Sequence, residues 1–196
     1  MENICACIIV IMTSLFAVFY AYQIRKHKID PTLSTWIIFM SGVGISLITY
    51  TIAENKDFKS GILNKVDAAF VLVVISAIFA WGKRELRLKP FEKWYLLGVL
   101  VIIVYGILSK SAWNSNVLSQ VLLSVGYIPT IHHLIQQKKN RESFLGWGCS
   151  MIAAIAALYL ARVAGKPLET LYASRALFFA ALLLCLMFYY EIKQKK

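Results

Sequence analysis

Charge is what this chain has least of for its size. Only 16% of its 196 residues are Asp, Glu, Lys or Arg, and just 10 of them are acidic. A soluble domain is typically about 25% charged and about 45–50% apolar. This chain is 59% hydrophobic with a mean hydropathy of +0.66, which places it in the membrane class. No stretch is long or polar enough to fold as a soluble domain. Cysteine is scarce as well: Cys5, Cys7, Cys149 and Cys185 lie within apolar runs, without metal-ligand spacing, and read as small packing residues. Of the histidines, His132 and His133 are adjacent, so on a helix they point about 100° apart, a poor geometry for chelating one ion. They read as a polar helix end, with a pH-sensitive gate as the other reading. No lysine falls between Leu168 and Tyr190, which excludes a retinal Schiff base on the last apolar run. A phosphate-binding glycine loop and a nucleophile–base pair at useful spacing are also missing, so no enzyme, cofactor or metal is expected.

What is present is a series of apolar runs separated by short basic blocks. A helix that crosses a bilayer needs about 20 mostly apolar residues. Seven runs qualify: Ile4–Tyr22, Ser34–Ile52, Ile62–Gly82, Trp94–Ser109, Val117–Ile135, Phe144–Ala164 and Leu168–Tyr190. The fold class expected is therefore all-α, a polytopic membrane protein. The net charge of +11 invites a nucleic-acid reading, but the positive residues sit between the apolar runs, as membrane topology requires. Fourteen Lys and Arg fall in the first, third and fifth connections and the tail, against six on the other side. That bias puts the N-terminus outside and the C-terminus in the cytoplasm. The first run has no positive residue ahead of it and Arg25 and Lys26 directly after it, the reverse of a cleaved signal peptide. Aromatic residues cluster at the run ends (Tyr20, Tyr22, Trp36, Tyr50, Trp81, Trp94, Tyr95, Trp147, Tyr189 and Tyr190), where headgroup anchoring is the leading expectation.

The segment Val125–Trp147 holds the end of an apolar helix with a proline inside it, a basic turn, and the aromatic start of the next helix. Ser14–Trp36 repeats the layout 111 positions earlier: Trp36 falls on Trp147, Ile24 on Ile135, Lys28 on Lys139 and Thr32 on Ser143. Runs one to three and five to seven then form matching triplets joined by run four. The corresponding divisions are 1–93, 94–113 for the linker helix, and 114–196. Parallel triplets joined by an odd helix are a known way to build a site at mid-membrane.

With Tyr127, Pro129, Thr130, the turn Lys138-Lys139-Asn140-Arg141, Glu142-Ser143 and Trp147 in the second copy, and Lys28, Pro31-Thr32 and Ser34-Thr35-Trp36 in the first, the chain resembles the PQ-loop and SWEET superfamily of seven-span transporters. The resemblance covers the whole chain as architecture. It implies two three-helix repeats plus a linker (3+1+3), alternating access for a small polar solute, and a gating hinge at Pro129. Thr130 stands where the family has glutamine, and Val18 where the first repeat would carry its proline. The superfamily also includes receptor-like members, so a non-transporting receptor or accessory subunit is the rival reading.

Within the spans, Asp67 and Arg175 are the informative charges. Each lies in the third run of its triplet, and an ionised group at the bilayer centre costs roughly 2.5–3.5 kcal/mol on insertion scales, so neither should face lipid. A shared central site, a structural ion pair and snorkelling to the interface are all open for this pair. Asn116, Gln120 and Ser124, at i, i+4 and i+8, make one polar stripe that fits either a cavity lining or helix–helix hydrogen bonding. Asp67, Arg175, Asn116 and Gln120 are the expected solute-binding residues. Ser41-Gly42-Val43-Gly44 with Ser46, and Ala153, Ala154, Ala156 and Ala157, read as close-packing faces. Expected partners are the lipid bilayer and a small polar solute, with no nucleic acid. The two triplets lie in one chain, so a monomer can form a pathway, and a homo-oligomer is compatible with it.

Overall fold

A computed structural model describes residues 1–29, 31, 33–53, 61–82, 111–138, 140 and 142–194, and the helical positions 97, 98, 100, 101, 104, 105 and 108. Its elements are α1 (Glu2–Arg25), α2 (Leu33–Ala53), α3 (Ile62–Trp81), α4 (Ala112–Gln137), α5 (Phe144–Val163) and α6 (Pro167–Gln194). Five of these, all but α2, are long and apolar enough to cross a membrane, and α2 contributes a shorter apolar stretch, Thr35–Ile48. Large apolar side chains such as Leu15, Val18, Phe79, Phe178 and Phe188 point outward, each more than half exposed. Together these features suggest a membrane-embedded, all-α protein. Most of the expected fourth run, Trp94–Ser109, lies outside the described residues.

Local chemistry sets the helix ends. The Ser111 hydroxyl accepts from the Asn114 amide at 3.3 Å and caps α4; the Ser143 hydroxyl does the same for Gly146 at 3.0 Å and caps α5. Helix α5 stops at Gly165, whose φ of +65° is the left-handed conformation that a glycine takes at no steric cost. The Lys166 amide then returns to the Ala161 carbonyl at 2.9 Å, and Pro167 opens α6, where its missing N–H is not needed. Among the described residues, the non-glycine positions with positive φ are His27 (52°) and Lys138 (50°). They are separated by the same 111 positions as the two tryptophans. Both hairpins thus leave their first helix through the same backbone turn, which is a conformational counterpart of the sequence repeat.

The packing follows a matching plan. Helix α3 lies against both α1 and α2, and α6 lies against both α4 and α5. The two groups meet where α1 packs on α5 and α2 packs on α4. Exchanging the first three helices for the last three leaves this set of main contacts unchanged. Glycines bring the groups together. A Cβ on Gly42 would lie 2.7 Å from the Leu123 Cγ, and one on Gly126 would lie 2.7 Å from the Phe39 Cε1, so α2 and α4 approach only because those atoms are absent. Gly146 plays that part between α5 and α1, where a Cβ would stand 2.5 Å from the Phe16 ring. Gly44 has open space around it. Ala153, Ala154, Ala156 and Ala157 are buried, as a close-packing face requires.

Two expectations need correction. Trp36, Trp147 and Tyr20 are at most 3% exposed, so they are core residues rather than headgroup anchors. Tyr22, Trp81 and Tyr189 are exposed as anchors should be, whereas Trp94 and Tyr95 lie outside the described residues. Helix α4 begins at Ala112, five residues before the expected Val117 and one before the expected end of the linker at 113. The apolar run starts only at Val117 because Asn114, Ser115 and Asn116 before it are polar. Ser115 and Asn116 are buried, however, and Asn116 is hydrogen-bonded within the protein, which removes the cost of placing them there.

Candidate functional site

Between the two helix groups lies a cavity of about 40 Å³, room for a few water molecules. All six described helices contribute to it. The first group supplies Phe16 from α1, Trp36, Phe39 and Val43 from α2, and Asp67, Phe70 and Val71 from α3. From the second group come Leu123 and Tyr127 on α4, Trp147 and Ser150 on α5, and Tyr172, Arg175 and Ala176 on α6. The wall is largely aromatic and self-bracing. Phe16 contacts Phe70 at 4.4 Å and Trp147 at 5.4 Å between ring centres, while Tyr127 lies 4.8 Å from Phe39 and stacks on Phe179 at 4.6 Å. Such rings offer apolar bulk with defined geometry, and the edge-on pairs fix the cavity shape.

One polar chain crosses this apolar lining. The Tyr172 hydroxyl donates to the Asp67 carboxylate at 2.8 Å, and the Arg175 guanidinium sits 4.9 Å over the Tyr172 ring. Arg175 Nε donates to Gln120 Oε1 at 2.9 Å. Gln120 in turn donates to Asn116 Oδ1 at 3.3 Å, and Asn116 donates to Ser46 at 3.3 Å. Ser46 takes a second bond at 3.0 Å from Asn64, whose own buried Oδ1 has no partner among the described residues. The four expected solute-binding residues are therefore joined in one network, with Asp67 and Arg175 on the cavity wall and Gln120 and Asn116 behind it. Tyr172 stands between the two charges. It also lines a second, smaller cavity of about 10 Å³ with Gly61, Asn64 and Glu169, at the end of the bundle away from the two hairpin turns.

Pro129 is buried inside α4, which remains helical from Ala112 to Gln137 around it. Its neighbour Thr130 shares a hydrogen bond with Thr35 of α2 at 3.2 Å, buried between the two groups. At the α4–α5 turn a second link crosses the same boundary. Both the Tyr20 hydroxyl of α1, at 2.8 Å, and the Trp147 indole N–H of α5, at 3.1 Å, donate to Glu142 Oε2. The Tyr20 ring in turn packs on that of Trp36, 5.3 Å between centres. Burial pushes the Glu142 carboxyl up to about 7, against the opposing pull of its two donors.

Sequence reasoning missed Tyr172 and Glu142. Tyr172 falls at the position of α6 that matches Asp67 of α3 when the two helix starts are aligned, a signal available only once those starts are known. Glu142 enters the sequence reading only within the Glu142-Ser143 pair of the family resemblance, with no role of its own. His132, exposed, and His133, partly buried, sit on the last turns of α4 away from the cavity lining. Compared with known proteins, the chain matches no family model, no curated protein and no solved structure.

Proposed function

We propose that the protein is a membrane transporter that moves a small polar solute by alternating access between two triple-helix bundles. In this reading α1–α3 and α4–α6 are the bundles, the expected span at Trp94–Ser109 joins them, and the solute site is the cavity between them. The observation that carries the proposal is that cavity. It is lined by all six helices given above and holds a carboxylate and a guanidinium in an otherwise mainly apolar box rich in aromatic rings. Charges inside a membrane are costly and are retained chiefly where they serve a pathway or a ligand. The exchange-invariant packing supports the reading too, because a site at the junction of two repeats is opened from either side by rocking one against the other.

Asp67 and Arg175 then contact the solute, Tyr172 sets the distance between them, and Gln120 and Asn116 hold Arg175 in place. By the Lys and Arg count, the two hairpin turns face the cytoplasm. The contacts Tyr20–Glu142–Trp147 and Thr35–Thr130 close that end, and Pro129 bends α4 to open it. The test is uptake of a panel of radiolabelled sugars, amino acids and organic acids into proteoliposomes. At least one solute is expected to accumulate faster than in protein-free vesicles, with D67N and R175A each lowering that uptake ten-fold or more. Uptake that neither variant changes would remove the central site, and binding without flux would favour the receptor reading.

A further inference from the structure

The link at the α4–α5 turn does more than join two surfaces. Glu142 belongs to a short turn whose backbone is held on both sides: its own N–H donates to Asn140 Oδ1 at 2.9 Å, and Ser143 immediately after it caps α5. From this fixed base the carboxylate reaches across the boundary between the helix groups. One oxygen receives two donors, one from α1 and one from α5, the two helices whose contact closes that side of the molecule. The indole of Trp147, by its hydrogen bond, and the ring of Trp36, packed 5.3 Å from that of Tyr20, connect this oxygen to two side chains that line the cavity. A carboxyl group is thus placed between the cavity and the turn-bearing end of the bundle, where separating α1 from α5 would break the bond from Tyr20 and wet it.

We propose that Glu142 is a proton-binding site on the latch that closes this end, holding its proton while the end is shut and releasing it when the end opens. The inference rests on the alternating-access reading and adds to it a ligand, the proton, and a direction. The direction follows from linkage. With the latch shut, burial holds the carboxyl up at about 7, whereas in water it would return to its ordinary value of 4.5. The shut form therefore binds the proton more tightly, so protonation favours closure and rising pH favours opening. Over the interval from pH 6 to pH 8 the shut-to-open ratio falls by about ten-fold. The charge-assisted bonds from Tyr20 and Trp147 favour the ionised form, but the loss of hydration outweighs them.

Other groups near the turn must be separated from this one. Facing Glu142 from α1 is the Tyr20 phenol; α5 offers the Trp147 indole, which does not titrate in this range. His132, His133 and Lys138 close α4, and His27 lies in the α1–α2 turn. Histidine is the side chain that ordinarily titrates near neutrality, so a background with H27N, H132N and H133N serves as the control.

The experiment uses the full chain in lipid nanodiscs, with W81F, W94F and W113F leaving Trp36 and Trp147 as the reporters. Two quantities are followed from pH 5 to pH 9: the infrared band of a protonated carboxylic acid, and quenching of the two indoles by acrylamide, a neutral probe. The expected result is an acid band lost with a midpoint near 7, and quenching that rises over the same interval. Both persist in a background that lacks the histidines and, through D67N, the carboxyl on the cavity wall shared with the two indoles, and both vanish when E142Q is added, which stays in the poorly quenched, shut form at every pH. Y20F removes one of the bonds that favour ionisation, so it moves the midpoint to higher pH and supplies a second variant should E142Q misfold. A neutral-range transition that survives E142Q would overturn the proposal, as would an acid band that titrates while quenching stays flat. Failure of every solute in the uptake assay would instead remove the transport reading and leave the titration as measured.

Discussion

A glycine in a membrane helix bundle is informative when the atoms beside it are named. Gly146 and Gly44 are both small residues within apolar helices, and sequence alone treats them alike. In the structure a Cβ on Gly146 would lie 2.5 Å from one Phe16 ring carbon and 2.7 Å from another, whereas one on Gly44 meets nothing within 4 Å. Phe16 cannot simply turn aside, since its ring is held by Phe70, Tyr20 and Trp147. Overpacking of this kind typically costs about 1–3 kcal/mol. G146A is therefore expected to lower the melting temperature in detergent micelles by several degrees and to reduce any activity of the cavity, because Phe16 is part of its wall. G44A is expected to be neutral or to stabilise slightly, by up to about 1 kcal/mol, through better helix propensity. Thermal unfolding of the two variants side by side measures the contrast. Equal effects would mean that α1 and α5 do not approach as closely as the structure has them.

At the scale of the element, α4 shows how much was legible and why the rest was not. Its apolar run, its internal proline and the polar stripe of Asn116, Gln120 and Ser124 were all visible in the sequence. So was the pairing of Asp67 with Arg175 as charges that must avoid lipid. The start at Ala112 was not, because the unbroken apolar run begins only at Val117, and it is the bonds of Asn116 to Ser46 on α2 and from Gln120 that show an interior residue ahead of it. The same limit applies to Trp36 and Trp147. Position at a span end is compatible with anchoring or with burial, and the choice depends on whether a partner helix covers the ring. Pro129 is the remaining question for this helix. Proline in a helix interior removes one backbone bond and costs up to about 3 kcal/mol against alanine, a cost that fits either a hinge used in gating or a kink fixed by packing. P129A is expected to raise thermal stability while lowering solute flux several-fold in the uptake assay. Loss of both stability and flux would make the proline a fixed kink that packing depends on.

For the whole molecule, the two halves match in packing and in the backbone of their hairpin turns but differ where bending would occur. Val18 occupies the place in α1 that Pro129 occupies in α4, so the first group lacks the weak point of the second. If the halves move against one another, α1–α3 should turn as a body while α4 flexes within its own group. Four exposed positions near the hairpin end allow this to be measured with spin labels on cysteines, in a background free of the native ones. Tyr22 of α1 and Trp81 of α3 report on the first group, in which Arg25 lies 5.7 Å over the Trp81 ring, and Gln136 of α4 and Tyr189 of α6 report on the second. The 136–189 pair is expected to give a broad or two-component distance distribution in nanodiscs, and the 22–81 pair a narrow one. P129A should narrow the former and leave the latter as it was. Equal widths in both groups would mean that the fold opens symmetrically, with the proline irrelevant to the motion. A broad 22–81 distribution beside a narrow 136–189 one would place the hinge in the first half, against the proline altogether.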